Sequence, residues 1–71
     1  MKCYLMYHIH VFKDETMDYK IIGVFTSYDK ALDVKEKYSS ELLGFKDYPS
    51  GFRIEEFEVV GLDVAKQRTV Y

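Results

Sequence analysis

The sequence predicts an α+β fold of strand, strand, helix and strand. Its three-stranded antiparallel sheet takes the order 2-1-3, with one helix on one face. Three observations predict it. Lys2 to Phe12 is rich in Tyr, Ile, Val and Phe and contains no Gly or Pro, which is strand composition. Thr26-Ser27 separates an apolar run from a charged segment whose apolar residues recur every three or four positions, which is the start of a helix. Phe52 to Val60 then returns to strand composition. A strand–helix–strand passage makes the second and third strands parallel through a right-handed crossover. The first strand is apolar on both faces, so it belongs between them.

The totals bound the rest. At 71 residues the chain is one domain, read as residues 1–63 followed by a C-terminal tail over 64–71 that shows no clean period. So short a chain buries only about 60% of the surface that its unfolded form exposes. Small domains of this kind add disulfides, a metal or a partner subunit. Cys3 is the only cysteine, which rules out a disulfide within the chain and fits a reducing compartment. A partner subunit is the remaining staple. The seven Tyr and five Phe supply contact area at little cost in side-chain entropy, as interfaces require. The net charge of −2 argues against nucleic acid and anionic membranes as partners. Without a long apolar run or a signal-peptide pattern, the protein is expected in the cytoplasm.

Along the first strand, Cys3, Leu5, Tyr7, Ile9 and Val11 share one face, and Tyr4, Met6, His8, His10 and Phe12 the other. Lys13 to Asp18 is a polar connection of hairpin length. Its Asp14, Glu15 and Asp18 lack the spacing and turn glycine of a calcium loop and read as a solvated turn. Tyr19 to Phe25 is the second strand, and Gly23 inside it marks a bulge or a close backbone approach. Regular alternation there sets Ile22 with Val24 and Ile21 with Phe25. Thr26 or Ser27 caps a helix from Tyr28 to Tyr38, with Ala31, Val34 and Tyr38 on its buried stripe. Asp29 complements the helix N-terminus. Gly44 stops the helix at the latest. In the third strand, Phe52 and Ile54 have the opposite parity to Phe57 and Val59, so either a bulge at Glu55-Glu56 aligns them or the strand changes face midway.

One helix covers one face of the sheet. The expected open face carries Tyr4, Met6, His8, His10 and Phe12, and the loop residues Phe45 and Tyr48 join it as interface residues. The leading expectation is a protein-binding or assembly module, a homodimer that buries this face or pairs its sheet edges. An alternative is an inhibitor or regulator of a larger protein, including one carried on a mobile element. A second alternative is a metal- or ligand-binding protein using His8 and His10, whose rings lie about 7 Å apart along the strand, with Glu55, Glu56 or Glu58 as third ligand. Two histidines without a defined third ligand are a weak metal signal, so no metal and no cofactor is assigned. Cys3 has neither a base nor an oxyanion site at a recognisable spacing and reads as a buried thiol. No phosphate loop or nucleophile elbow occurs, so no catalytic residue is assigned and the chain is read as a non-enzyme.

Ile22-Gly23-Val24-Phe25-Thr26-Ser27, the helix residues Lys30-Ala31, and Gly44-Phe45-Lys46-Asp47-Tyr48-Pro49-Ser50-Gly51-Phe52, with Ile54, Phe57 and Val59, resemble a family of small bacterial proteins of unassigned function. The resemblance runs from the first strand to about Asp63 and is most specific in the two Gly-Phe pairs around Asp-Tyr-Pro. It implies a strand–strand–helix–strand domain. It carries over no activity and no catalytic residues, and it does not extend to Val64–Tyr71, where that family has an aromatic tail.

Overall fold

The computed structural model describes residues 1–41 and 49–71. The elements are β1 (Lys2–Val11), β2 (Met17–Phe25), α1 (Tyr28–Glu41), a short 3-10 turn (Pro49–Gly51), β3 (Phe52–Val60) and β4 (Asp63–Thr69). The sheet has four antiparallel-paired strands in the order β2-β1-β3-β4. The predicted 2-1-3 core is present, and the three-strand count is corrected by β4. The segment read as a tail is therefore the fourth strand. A two-residue turn, Gly61-Leu62, joins the paired residues Val60 and Asp63. Gly61 has φ +62°, the conformation that the first position of a II′ hairpin turn requires. That glycine, placed after Val59-Val60, is the sequence signal for β4; the seven exposed residues of the strand itself show no buried stripe.

Strand β1 is central because it is apolar on both faces. It turns into β2 through 12–16, where Asp14 accepts hydrogen bonds from the Thr16 backbone N–H (3.2 Å) and hydroxyl (2.7 Å). These two bonds hold the Asp14 carboxyl below the usual aspartate range. Asp14 thus serves the turn itself, as side chains of this type do.

The predicted irregularity in β2 is a bulge. Gly23 faces Met6 and Ile21 faces Tyr7, so Ile22 is the extra residue. The bulge changes the phase of the strand. Ile22 joins Phe25 against the core, while Ile21 and Val24 share the opposite face. Regular alternation had paired these residues differently. In β3 there is no bulge opposite β1, and the faces switch midway: Phe52 and Ile54 are buried, whereas Phe57 pairs with Cys3 on the other side. The irregularity on that side of the sheet falls in β4, at Ala65 between the pairs Glu58–Lys66 and Val59–Val64.

Ser27 caps α1: its Oγ accepts from the Lys30 N–H at 3.2 Å. The helix continues to Glu41, beyond the predicted end at Tyr38, and Ser39 and Ser40 sit within it with their hydroxyls donating to the Glu36 carbonyl (3.1 and 2.8 Å). Ala31 lets the helix approach the sheet closely. With Met6, Phe52 and Ile54 it forms the fully buried core, flanked by Tyr4, Ile22, Phe25, Tyr28, Leu32, Val34, Tyr38 and Val70.

Gly51 lies at the tightest point of this core. A Cβ there would collide with the Ile9 carbonyl oxygen and approach His8 Nε2 to 2.8 Å. Gly51→Ala is therefore expected to destabilise the fold by about 1–3 kcal/mol, the usual range for overpacking. Urea denaturation followed by circular dichroism measures this, and an unchanged midpoint would contradict the packing described.

Candidate functional site

The helix lies on the face that carries Tyr4, Met6 and His8. Met6 is 0% and His8 3% exposed. The expectation that Tyr4, Met6, His8, His10 and Phe12 form an open patch is thus corrected: this is the covered side of the sheet. Composition gave no warning, because both faces of β1 are apolar. Tyr4 and His10 are half-buried and Phe12 is exposed at the strand end. Phe45 and Tyr48 lie outside the described residues.

His8 packs edge-on against the Phe52 ring, 4.9 Å between centroids, and His10 lies 4.5 Å from Phe12. Glu55 is on the opposite face of the sheet. Glu56 pairs with Tyr4, four residues along β1 from His8 or about 13 Å away, and Glu58 lies farther still. The glutamates considered as third ligands are therefore remote from the histidines. Among the described residues no group of three or more His, Cys, Asp or Glu side chains could hold a metal ion.

The open face carries the other parity. Across β2, β1, β3 and β4 its rows read Val24–Leu5–Glu55–Thr69, then Ile21–Tyr7–Arg53, then Tyr19–Ile9, then Met17–Val11. On the far side of Leu5 lies the row Cys3–Phe57–Gln67. Ile21 is 73% and Val24 65% exposed, and Met17, Tyr19 and Val11 are also exposed. Leu5, Tyr7, Ile9, Phe57 and Cys3 are half-buried by their neighbours, and among the described residues no layer lies above them. The β1–β2 half of this face is a continuous apolar surface.

A polar cluster sits beside it. The Tyr7 hydroxyl donates to Glu55 Oε1 at 2.9 Å, and the Thr69 hydroxyl donates to Glu55 Oε2 at 2.8 Å. Burial and this bond to Glu55 raise the Tyr7 phenol above its usual range. Tyr7 also packs on Tyr19, 6.3 Å between ring centroids. Arg53 Nη1 donates to the Ser50 and Phe52 carbonyls at 2.9 and 2.7 Å, which folds the guanidinium over the start of β3.

On the helix side, Glu56 joins three strands. It accepts from the Arg68 Nε on β4 at 2.9 Å and from the Tyr4 hydroxyl on β1 at 3.0 Å, with Lys2 Nζ at 4.0 Å. Arg68 first, then Tyr4, holds the Glu56 carboxyl below the usual glutamate range, while the same bond raises the Tyr4 phenol. An open depression of about 870 Å³ lies beside this cluster, lined by Lys2, Glu56, Glu58, Lys66, Gln67 and Arg68. The C-terminus closes over the end of the sheet: Val70 N–H donates to the Ile54 carbonyl at 2.9 Å, and Lys35 Nζ sits 4.5 Å above the Tyr71 ring.

A family model described as a domain of unknown function (DUF7336) matches residues 1–65. The chain belongs to that family. The match covers β1, β2, α1 and β3 and ends within β4. No curated protein and no solved structure matches the chain. No helix among the described residues is long and apolar enough to cross a membrane.

The Glu56 clamp has a pH signature. A carboxyl held low in the folded state stabilises the fold above its unfolded-state value, and that contribution disappears as pH falls through the lower folded value. Glu56→Gln is therefore expected to melt lower than wild type near neutral pH. The difference should shrink as pH is brought down to about 3, below the usual glutamate value. Thermal melts across that range check it; a difference independent of pH would show that the ion pair with Arg68 contributes nothing.

Proposed function

We propose that this protein is an assembly module, a homodimer whose contact surface is the open sheet face built on Leu5, Tyr7, Ile9, Val11, Met17, Tyr19, Ile21 and Val24. The apolar continuity of that face carries the reading. Contiguous apolar patches on soluble monomers rarely exceed a few hundred Å², and larger ones mark interaction sites. The surface area points the same way. A compact 8.4 kDa monomer is expected to expose about 4,600 Å², whereas this chain exposes 5214 Å². The excess of about 600 Å² is spread over the whole chain, and the exposed Ile21, Val24, Met17 and Tyr19 of the open face contribute to it. The molecule is also thin, 15 Å along its shortest axis. A second sheet packed about 10 Å away would supply the missing layer.

Face packing is favoured over edge pairing. Both edge strands, β2 and β4, carry a bulge, at Ile22 and Ala65, and both carry lysines, Lys20 and Lys66. Bulges and edge lysines are the common devices that keep sheet edges from pairing with other chains. The same face would also serve an inhibitor or regulator of a larger protein. Self-association is preferred because it needs no other component to cover the surface.

Sedimentation velocity at micromolar concentration tests this. Wild type is expected to sediment as a dimer. Ile21→Lys and Val24→Lys, which place a charge on the face without touching the buried core, should each weaken association about tenfold or more while keeping the far-ultraviolet circular dichroism spectrum. Folded variants that retain the wild-type mass would refute the assignment of this face.

A further inference from the structure

This inference rests on the preceding reading of the open face as a self-association surface, and it names the arrangement. We infer that the second copy seats sheet to sheet about a two-fold axis running across the strands, between the Leu5–Glu55 row and the Tyr7–Arg53 row, so that Arg53 of each copy pairs with Glu55 of the other.

The face is self-complementary about that line. Arg53 and Glu55 are two positions apart on β3, about 7 Å along the strand. An axis between them lays the Glu55 row of one copy over the Arg53 row of the other. The same operation lays Val24 over Ile21 and Leu5 over Tyr7, because these residues occupy the same two rows. In the outer rows Cys3 lies over Ile9 of the other copy, because the axis keeps each strand over its own counterpart. Apolar side chains meet apolar ones on β1 and β2, and opposite charges meet on β3.

The other two-fold choice fails. An axis running along β1 would lay the β2 side of each copy over the β3 side of the other. Val24 would then cover Glu55 and Ile21 would cover Arg53, removing both charges from water with neutral hydrogen-bond partners but no opposite charge across the interface. An unpaired buried charge is strongly destabilising. The transverse axis avoids that penalty by pairing each charge across the interface, once in each direction.

The donors and acceptors also fit. A carboxylate offers about four lone-pair sites. Tyr7 donates to Oε1 of Glu55 and the Thr69 hydroxyl lies within 3.0 Å of both oxygens, which holds the group in place and leaves lone pairs for a further donor. A guanidinium has five N–H donors. The Arg53 Nη1 bonds to Ser50 and Phe52 fix its position on the face, and Nη2 and Nε are the donors that the pair would use. The two residues thus act as a specificity pair that sets the register of the dimer.

A charge exchange tests the arrangement. Arg53→Glu alone sets like charges opposite each other twice, as does Glu55→Arg alone. Each variant is expected to lose dimer affinity about tenfold or more. Mixed in equal amounts, the two should associate as a heterodimer. The carboxylate introduced by R53E then meets the guanidinium introduced by E55R, while the unchanged Glu55 of the first variant meets the unchanged Arg53 of the second. Isotope-filtered NOEs in a half-labelled wild-type sample provide a second reading that needs no substitution; contacts between the Leu5 methyls of one copy and the Tyr7 ring of the other are expected. Folded single variants that dimerise as wild type does, a mixture that stays monomeric, or filtered spectra without the Leu5–Tyr7 contact would each overturn the inference and leave face-mediated association standing. A wild-type chain that is monomeric at micromolar concentration would instead remove the reading on which it rests.

Discussion

A single helix can cover only one face of a four-stranded sheet, and the organisation of this protein follows from that constraint. The helix is seated by Ala31, whose small side chain lets α1 lie closely on Met6, Phe52 and Ile54. The buried core of the described residues lies on this side, with His8 edge-on to Phe52, Ile22 turned inward by the bulge, and Val70 packed against it. Among the described residues no layer covers the other side. Its side chains are as apolar as those of the covered side, and this asymmetry between composition and coverage carries the functional reading.

The two faces also hold their polar groups differently. On the helix side, Glu56 lies under Arg68 and Tyr4 and ties the edge strand β4 to the centre of the sheet. On the open side, Glu55 is held by Tyr7 and Thr69, both neutral donors, next to an apolar surface. Adjacent glutamates on a strand point to opposite faces. One of them ties strands together on the covered side, and the other is a carboxylate held in position on the open side.

Much of the fold was legible in the sequence. The central place of β1 followed from its two apolar faces, the helix start from Ser27, and the irregularity in β2 from Gly23. The fourth strand was missed because all of its residues are exposed, leaving no alternation to read; the Gly61-Leu62 turn was its one signal. The open face was expected on the side that the helix covers, for a physical reason. Alternation separates two faces but does not say which one the helix covers, and in β1 both are apolar. The phase change at Ile22 then hid the fact that Ile21 and Val24 share the open face. No sequence pattern related Arg53 to Glu55, because their shared place beside that face follows only from the strand register.

A second copy seated on the open face doubles the mass of the particle in solution. Small-angle X-ray scattering over a concentration series reads this, because forward scattering gives the mass and the low-angle slope gives the size. A mass of two chains is expected at micromolar concentration, with a radius of gyration clearly above the 13.2 Å of the single chain. A mass of one chain, with a radius close to that of the isolated domain at every concentration, would contradict it.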